Sequence, residues 1–183
     1  LTSLDLADPF DETTTRWVTG IQKVPQLHGL FSVKYLISNR VTNSEVKRNY
    51  YERLGAMNGL TIYRNRYFIP LGIAISKLMR KSEFQSLNGF YEKVEALYNA
   101  IIVEDQEIES YPELSSYNAS DIRGALAIEK YRNDYSSIAM DINSFSQSNI
   151  KGSISLDEPA MVLYTFPFDE GWKAWVDSER SPL

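Results

Sequence analysis

Cysteine is absent from this 183-residue chain. That removes disulfides, thiolate metal sites and cysteine nucleophiles together, and it leaves the redox compartment open. Histidine is nearly as scarce. The one copy, His28, would have to serve any Ser-His-Asp arrangement, and no serine stands in a G-x-S-x-G elbow. Zinc sites draw on several His or Cys ligands that the chain lacks, so no metal and no cofactor is expected. No stretch matches a glycine-rich phosphate loop. Long apolar runs are missing too: the longest, Ile69-Pro-Leu-Gly-Ile-Ala-Ile75, falls far short of the roughly 20 residues of a membrane helix. With a net charge of −5 and no basic block, nucleic acid is not an expected partner.

Aromatics, by contrast, are plentiful, with 3 Trp, 12 Tyr and 8 Phe in a chain that is 43% hydrophobic and 23% charged. Such a chain buries a core of its own and does not stay disordered. The chain begins at Leu1 and closes on Ser181-Pro-Leu183 just after a strand-like run. Both ends are expected to be cuts in a longer polypeptide.

Along the chain, Phe31, Val33, Tyr35 and Ile37 alternate with polar residues, which predicts a strand over 30–38 with that face buried. Val46, Tyr50, Leu54 and Met57 fall on one helical face, predicting a helix capped by Asn43 or Ser44 and ended by Asn58-Gly59. Short strands are expected over Leu60–Tyr63 and Tyr67–Ser76, the second an edge strand or a bulge because Pro70 cannot donate to a ladder. Phe84, Leu87, Tyr91, Val94, Tyr98 and Ile101 recur at helical spacing, predicting an amphipathic helix of about four turns with Gly89 inside it. From about residue 122 onward the chain reads as short strands separated by polar turns. The expected fold class is α+β: a mixed portion over 1–110 with an amphipathic helix, then a β-rich, antiparallel, sandwich-like portion over 111–183, packed as one domain.

Chemistry-bearing patterns are few. His28 lies at an expected helix end, where a structural or exposed role is the ordinary one. Paired carboxylates would suit glycoside cleavage if two converged across a cleft. Asp11 with Glu12, Glu104 with Asp105, Asp157 with Glu158, and Asp169 with Glu170 are the candidates, and all fall in expected connectors, where solvated turns are the rule. Lys77-Leu-Met-Arg-Lys81 is a small basic patch that would suit anionic headgroups or simply flank a helix. Trp175 and Tyr164 are candidate sugar-stacking residues; Trp172 and Trp175 point to opposite faces of a strand, so one of the two tryptophans is expected in the core.

The run Phe166-Pro-Phe-Asp-Glu-Gly-Trp-Lys-Ala-Trp-Val-Asp177 resembles the near-C-terminal "P-Y-D-x-G-W-x-A-x-V-D-G" hairpin of the YfhO family of bacterial multi-pass membrane proteins. Val33-Lys-Tyr-Leu-Ile37 resembles the family's "V-K-Y-l-i" strand, and Tyr63-Arg-Asn65 followed by Pro70 its "Y-x-N-x-x-x-x-P" turn. Phe168 stands where tyrosine is usual. Ser178 stands where glycine is usual, at a steric cost if the turn is left-handed. The resemblance implies an extracytoplasmic region of a membrane protein similar to GT-C type glycosyltransferases acting on cell-envelope polymers such as lipoteichoic acid. The family's catalytic carboxylate has no counterpart here, so this region is expected to be non-catalytic and to aid acceptor recognition. Asp169, Gly171 and Trp172 are expected to shape the hairpin, with Trp172 burying its ring. Expected partners are the rest of the transmembrane chain and an envelope glycopolymer. The strand at 172–177 is expected to leave an open edge, pair elsewhere or form an edge-strand dimer. The alternatives are a stand-alone carbohydrate-binding module and a hydrolase using paired carboxylates.

Overall fold

A computed structural model describes residues 24–39, 49–123, 134–135, 137–166 and 169–181. It shows an α+β, β-rich fold of small sheets around one apolar core. Helix α1 (Pro25–Leu30) opens with Pro at its first position, where the missing N–H costs nothing and the fixed φ suits a helix. Strand β1 (Tyr35–Ser38) follows, then β2 (Tyr51–Met57) and β3 (Leu60–Asn65). These three form an antiparallel sheet in the order β1-β3-β2.

The helix expected to end at Met57 is instead strand β2. Asn58 and Gly59 both have positive φ, 53° and 76°, the geometry of a two-residue hairpin turn that Asn-Gly favours above other pairs. Pairing with β3 therefore outweighs the helical spacing of Tyr50, Leu54 and Met57, while Val46, Asn43 and Ser44 lie outside the described residues. The face of β1 is also reversed. Tyr35 and Ile37 are exposed, because the sheet turns Tyr51, Thr61, Tyr63 and Asn65 inward instead.

Of the long strand expected over 67–76, only β4 (Ile73–Ile75) forms. Its three residues are all buried, paired antiparallel with β10 (Met161–Leu163) and bridged to Ala139 on the other side. Strand β5 (Lys77–Arg80) follows at once. The expected four-turn helix is two helices, α2 (Lys81–Ser86) and α3 (Phe90–Asn99), with Ile101 beyond them in β6 (Ile101–Val103). Gly89 is the cap of α3 and not an interior residue. Its N–H donates to Glu92 Oε2 at 3.0 Å, satisfying a donor at the start of the helix.

Two helices between β5 and β6 allow these strands to run parallel, and β7 (Ser115–Ser116) joins β5 in parallel on its other edge. A parallel pair needs such a crossover, which no hairpin turn can provide. Leu78 and Met79 of this central strand are buried. The core gathers Leu27 and Leu30 of α1, Ile69, Ile73, Met79, Phe84, Val94 and Tyr98. Around it lie two antiparallel hairpins, β8 (Asp141–Phe145) with β9 (Ile150–Ser153), and β11 (Ala174–Val176) with β12 (Glu179–Ser181).

Candidate functional site

The C-terminal hairpin is built from its turns. Asp169 Oδ1 accepts the Gly171 N–H at 2.8 Å, and the Asp169 carbonyl accepts the Trp172 N–H at 3.0 Å. This closed Asx turn delivers the chain into β11. Trp172 is half-buried against Phe166, with ring centroids 5.0 Å apart, and Phe166 lies 5.5 Å from Tyr164. The Tyr164 hydroxyl meets Met140 Sδ at 3.2 Å, and burial pushes its phenol pKa up. A side chain at Gly72 would press on the same ring at 3.3 Å. Tyr164 thus belongs to a row of packed rings with Trp172. Trp175 does not join them: it is 59% exposed on β11. Phe168 lies outside the described residues.

Among the described strands β11 pairs with β12 alone, so its other edge is open there. The turn between them carries Asp177 and Ser178 at φ 50° and 73°. Two consecutive left-handed residues define the turn that matches strand twist, and Ser178 bears the cost of a Cβ there. Ser178→Gly is expected to stabilise the hairpin by about 0.5 kcal/mol, the relief of that cost less the entropy glycine adds to the unfolded chain. A higher urea midpoint checks this; a lower one contradicts it.

Of the carboxylate pairs, Glu104 and Asp105 are engaged in structural bonds. Glu104 Oε1 lies 2.5 Å from Lys81 Nζ. Asp105 Oδ1 accepts the Ser82 N–H at 3.0 Å, and its backbone carbonyl accepts Arg80 Nη1 at 2.6 Å. The Ser82 hydrogen bonds, hydroxyl first, hold the Asp105 carboxyl below its usual range, with Arg80 adding to the effect. The basic patch 77–81 and the acidic connector therefore neutralise each other, and Lys77 rests over the Tyr117 ring at 5.6 Å. Lys77–Arg80 of the patch form β5, and Lys81 begins α2. Asp157, Glu158 and Glu170 are exposed, and the Asp11–Glu12 pair lies outside the described residues. No group of three or more metal-ligating side chains gathers among the described residues.

His28 is buried in α1. Its Nδ1 is hydrogen-bonded to the Tyr51 hydroxyl, with the rings edge to face at 5.9 Å. Burial pushes the Tyr51 phenol up to about 12, so it stays protonated and holds α1 to β2. A raised folded-state pKa contributes stability that is complete below the ordinary value of 10.0 and is lost as pH rises toward about 12. We expect the urea midpoint to fall between those two pH values and Tyr51→Phe to flatten that segment of the profile.

The family model described as "Bacterial membrane protein YfhO" matches residues 2–133. The chain belongs to the YfhO family. The matched region contains the Val33–Ile37 segment and the Tyr63–Pro70 turn and ends before the 166–177 segment. Its membership makes this a membrane-associated protein, although no helix among the described residues is long and apolar enough to cross a membrane. Neither the curated proteins nor the solved structures compared with the chain give a match.

Within the family turn, Asn65 has a role that spacing alone did not reveal. Its Nδ2 donates to the Val33 carbonyl at 2.9 Å, its Oδ1 accepts the Tyr67 N–H at 2.9 Å, and its own N–H donates to Lys34 O at 2.9 Å. One buried amide thus joins the entry to β1, the end of β3 and the chain leading to the core. The signal was present: an asparagine between two apolar runs commonly bonds the backbone two residues on.

Proposed function

We propose that this chain is an extracytoplasmic domain of an integral membrane protein resembling GT-C type glycosyltransferases, non-catalytic itself and aiding recognition of an envelope acceptor such as lipoteichoic acid. Membership of the YfhO family supports the membrane setting. The observation that carries acceptor recognition is Trp175, a large ring 59% exposed on a two-stranded ribbon. Flat aromatic faces stack on sugar rings, and tryptophan holds such contacts at low conformational cost. Engagement of Glu104, Asp105 and Asp169 in structural bonds supports a binding role over hydrolysis.

Titration of the chain with a glycerol-phosphate polymer, followed by tryptophan fluorescence, tests the reading. Saturable quenching that Trp175→Ala abolishes is the expected result. Tight binding of simple glucans without the polymer would instead favour a stand-alone carbohydrate-binding module, the reading that the same exposed ring makes second. Turnover of a glycoside that Asp169→Asn or Glu170→Gln abolishes would contradict both.

A further inference from the structure

The two faces of the β1-β3-β2 sheet differ in character, and the register says why. Leu36–Tyr63–Arg53 and Ser38–Thr61–Ala56 form rows on one face, and with Asn65–Tyr51 this is the face that turns Thr61, Tyr63, Asn65 and Tyr51 into the protein. The rows Ile37–Ile62–Gly55 and Leu60–Met57 occupy the other face, beside Tyr35. There Ile37 is 61% and Met57 67% exposed. A Cβ at Gly55 would meet nothing within 4 Å, so none of the described elements covers this face there. The irregularity between Arg53 and Gly55 adds Leu54 as a further exposed side chain. Met57 and Leu60 flank the Asn58-Gly59 turn, so the apolar surface runs to the hairpin tip. A contiguous exposed apolar surface of this kind marks a contact site.

Charge identifies what it contacts. Lys34, Arg53, Arg64 and Arg66 are exposed around this sheet, with Glu52 paired to Arg64 at 2.6 Å. Along the sequence, residues 34–66 carry seven Lys/Arg and two Asp/Glu, against twelve and twenty-two in the remainder of the chain. The segment is cationic in a protein that is acidic as a whole. An exposed apolar tip on a sheet whose opposite end carries Lys34, Arg64 and Arg66 is the combination that an anionic bilayer interface binds, burying the apolar groups at the acyl boundary while cations lie nearer the phosphates. A second copy would bring cationic surfaces together, and a soluble polyanion has no use for Ile37, Met57 or Leu60.

We propose that the outward face of this sheet and the β2–β3 tip dock on anionic lipid headgroups, with Met57 and Leu60 entering the interface. The proposal rests on family membership and is independent of acceptor recognition by Trp175.

Because the chain has no cysteine, a single Met57→Cys variant carries an environment-sensitive NBD label at one site. With vesicles of equal parts phosphatidylglycerol and phosphatidylcholine, the label is expected to shift to the blue and the protein to float with the vesicles, both effects fading at high salt. A label at Gln85→Cys, exposed on α2, is expected to stay in water. The double variant Ile37→Ser/Leu60→Ser, at exposed positions that leave the core intact, is expected to weaken flotation by about tenfold or more. A Met57 label that stays in water while the protein floats would overturn the proposal. So would undiminished flotation of the double variant, a blue shift that grows with protein concentration without vesicles, or binding to a glycerol-phosphate polymer with none to vesicles.

Discussion

Gly29→Ala is expected to lower stability by about 2 kcal/mol, although alanine is the better helix former. A Cβ at Gly29 would stand 2.3 Å from the Tyr67 carbonyl oxygen and 3.2 Å from the Tyr98 hydroxyl. The first neighbour is backbone and cannot swing aside. Tyr98 is fully buried, and its hydroxyl donates to Gln26 O at 2.5 Å, so the second is held as well. Overpacking of this kind costs about 3 kcal/mol, whereas exchanging glycine for alanine in a helix gains about 1 kcal/mol. The collision wins. Gly55→Ala is the internal control: with open space around its Cβ, it is expected to be neutral or stabilising by about 0.5 kcal/mol. Urea midpoints of the two variants should move in different directions; a Gly29→Ala midpoint equal to that of Gly55→Ala would show that α1 is not pressed on Tyr67.

Asn65→Ala is expected to cost about 3 kcal/mol. The side chain is buried, and its removal leaves the Val33 carbonyl and the Tyr67 N–H without their partners. Each buried group so left costs about 1–3 kcal/mol, which exceeds the worth of the bonds themselves. Asn65→Asp separates the two halves of the role. A carboxylate still accepts from Tyr67 N–H but faces the Val33 carbonyl with no proton to offer. That opposition raises the folded-state pKa of the new acid above the roughly 3.9 of a free Asp. A raised pKa makes the folded state relatively more stable below it, so the Asn65→Asp protein is expected to regain part of its loss as pH falls from neutrality toward about 4. An unchanged deficit across that range would contradict this placement of the amide.

These two positions also mark what a reader of the sequence can and cannot see. Roles confined to a few neighbouring residues were legible. The turn at Asp169–Gly171 and the strands of the β8–β9 hairpin follow from local chemistry, whereas the left-handed Ser178 was pointed to by the family resemblance. The α+β, β-rich class and the family were legible for the same reason. What depended on partners distant in sequence was not. Helical spacing at Tyr50, Leu54 and Met57 lost to pairing with β3, although Asn58-Gly59 signalled a hairpin. Of the strand expected over 30–38 only Tyr35–Ser38 forms, because Phe31 caps α1 and Ser32 turns the chain. Its inward face was not legible either, because that is decided by where Tyr51 and Tyr63 pack. Nothing local could tell that Lys77–Arg80 is a central parallel strand, since its partners Ile101–Val103 and Ser115–Ser116 lie more than 20 residues away. The collision at Gly29 is likewise a contact between segments nearly 40 positions apart.

The sidedness of the domain tests the functional account most directly. Ser148 lies exposed in the β8–β9 turn, and Ser148→Cys is the sole thiol of this chain. In cells expressing the full-length membrane protein, with any other cysteines replaced, a membrane-impermeant maleimide is expected to label this thiol before the cells are opened. Labelling only after permeabilisation would place the domain on the cytoplasmic side and contradict the account.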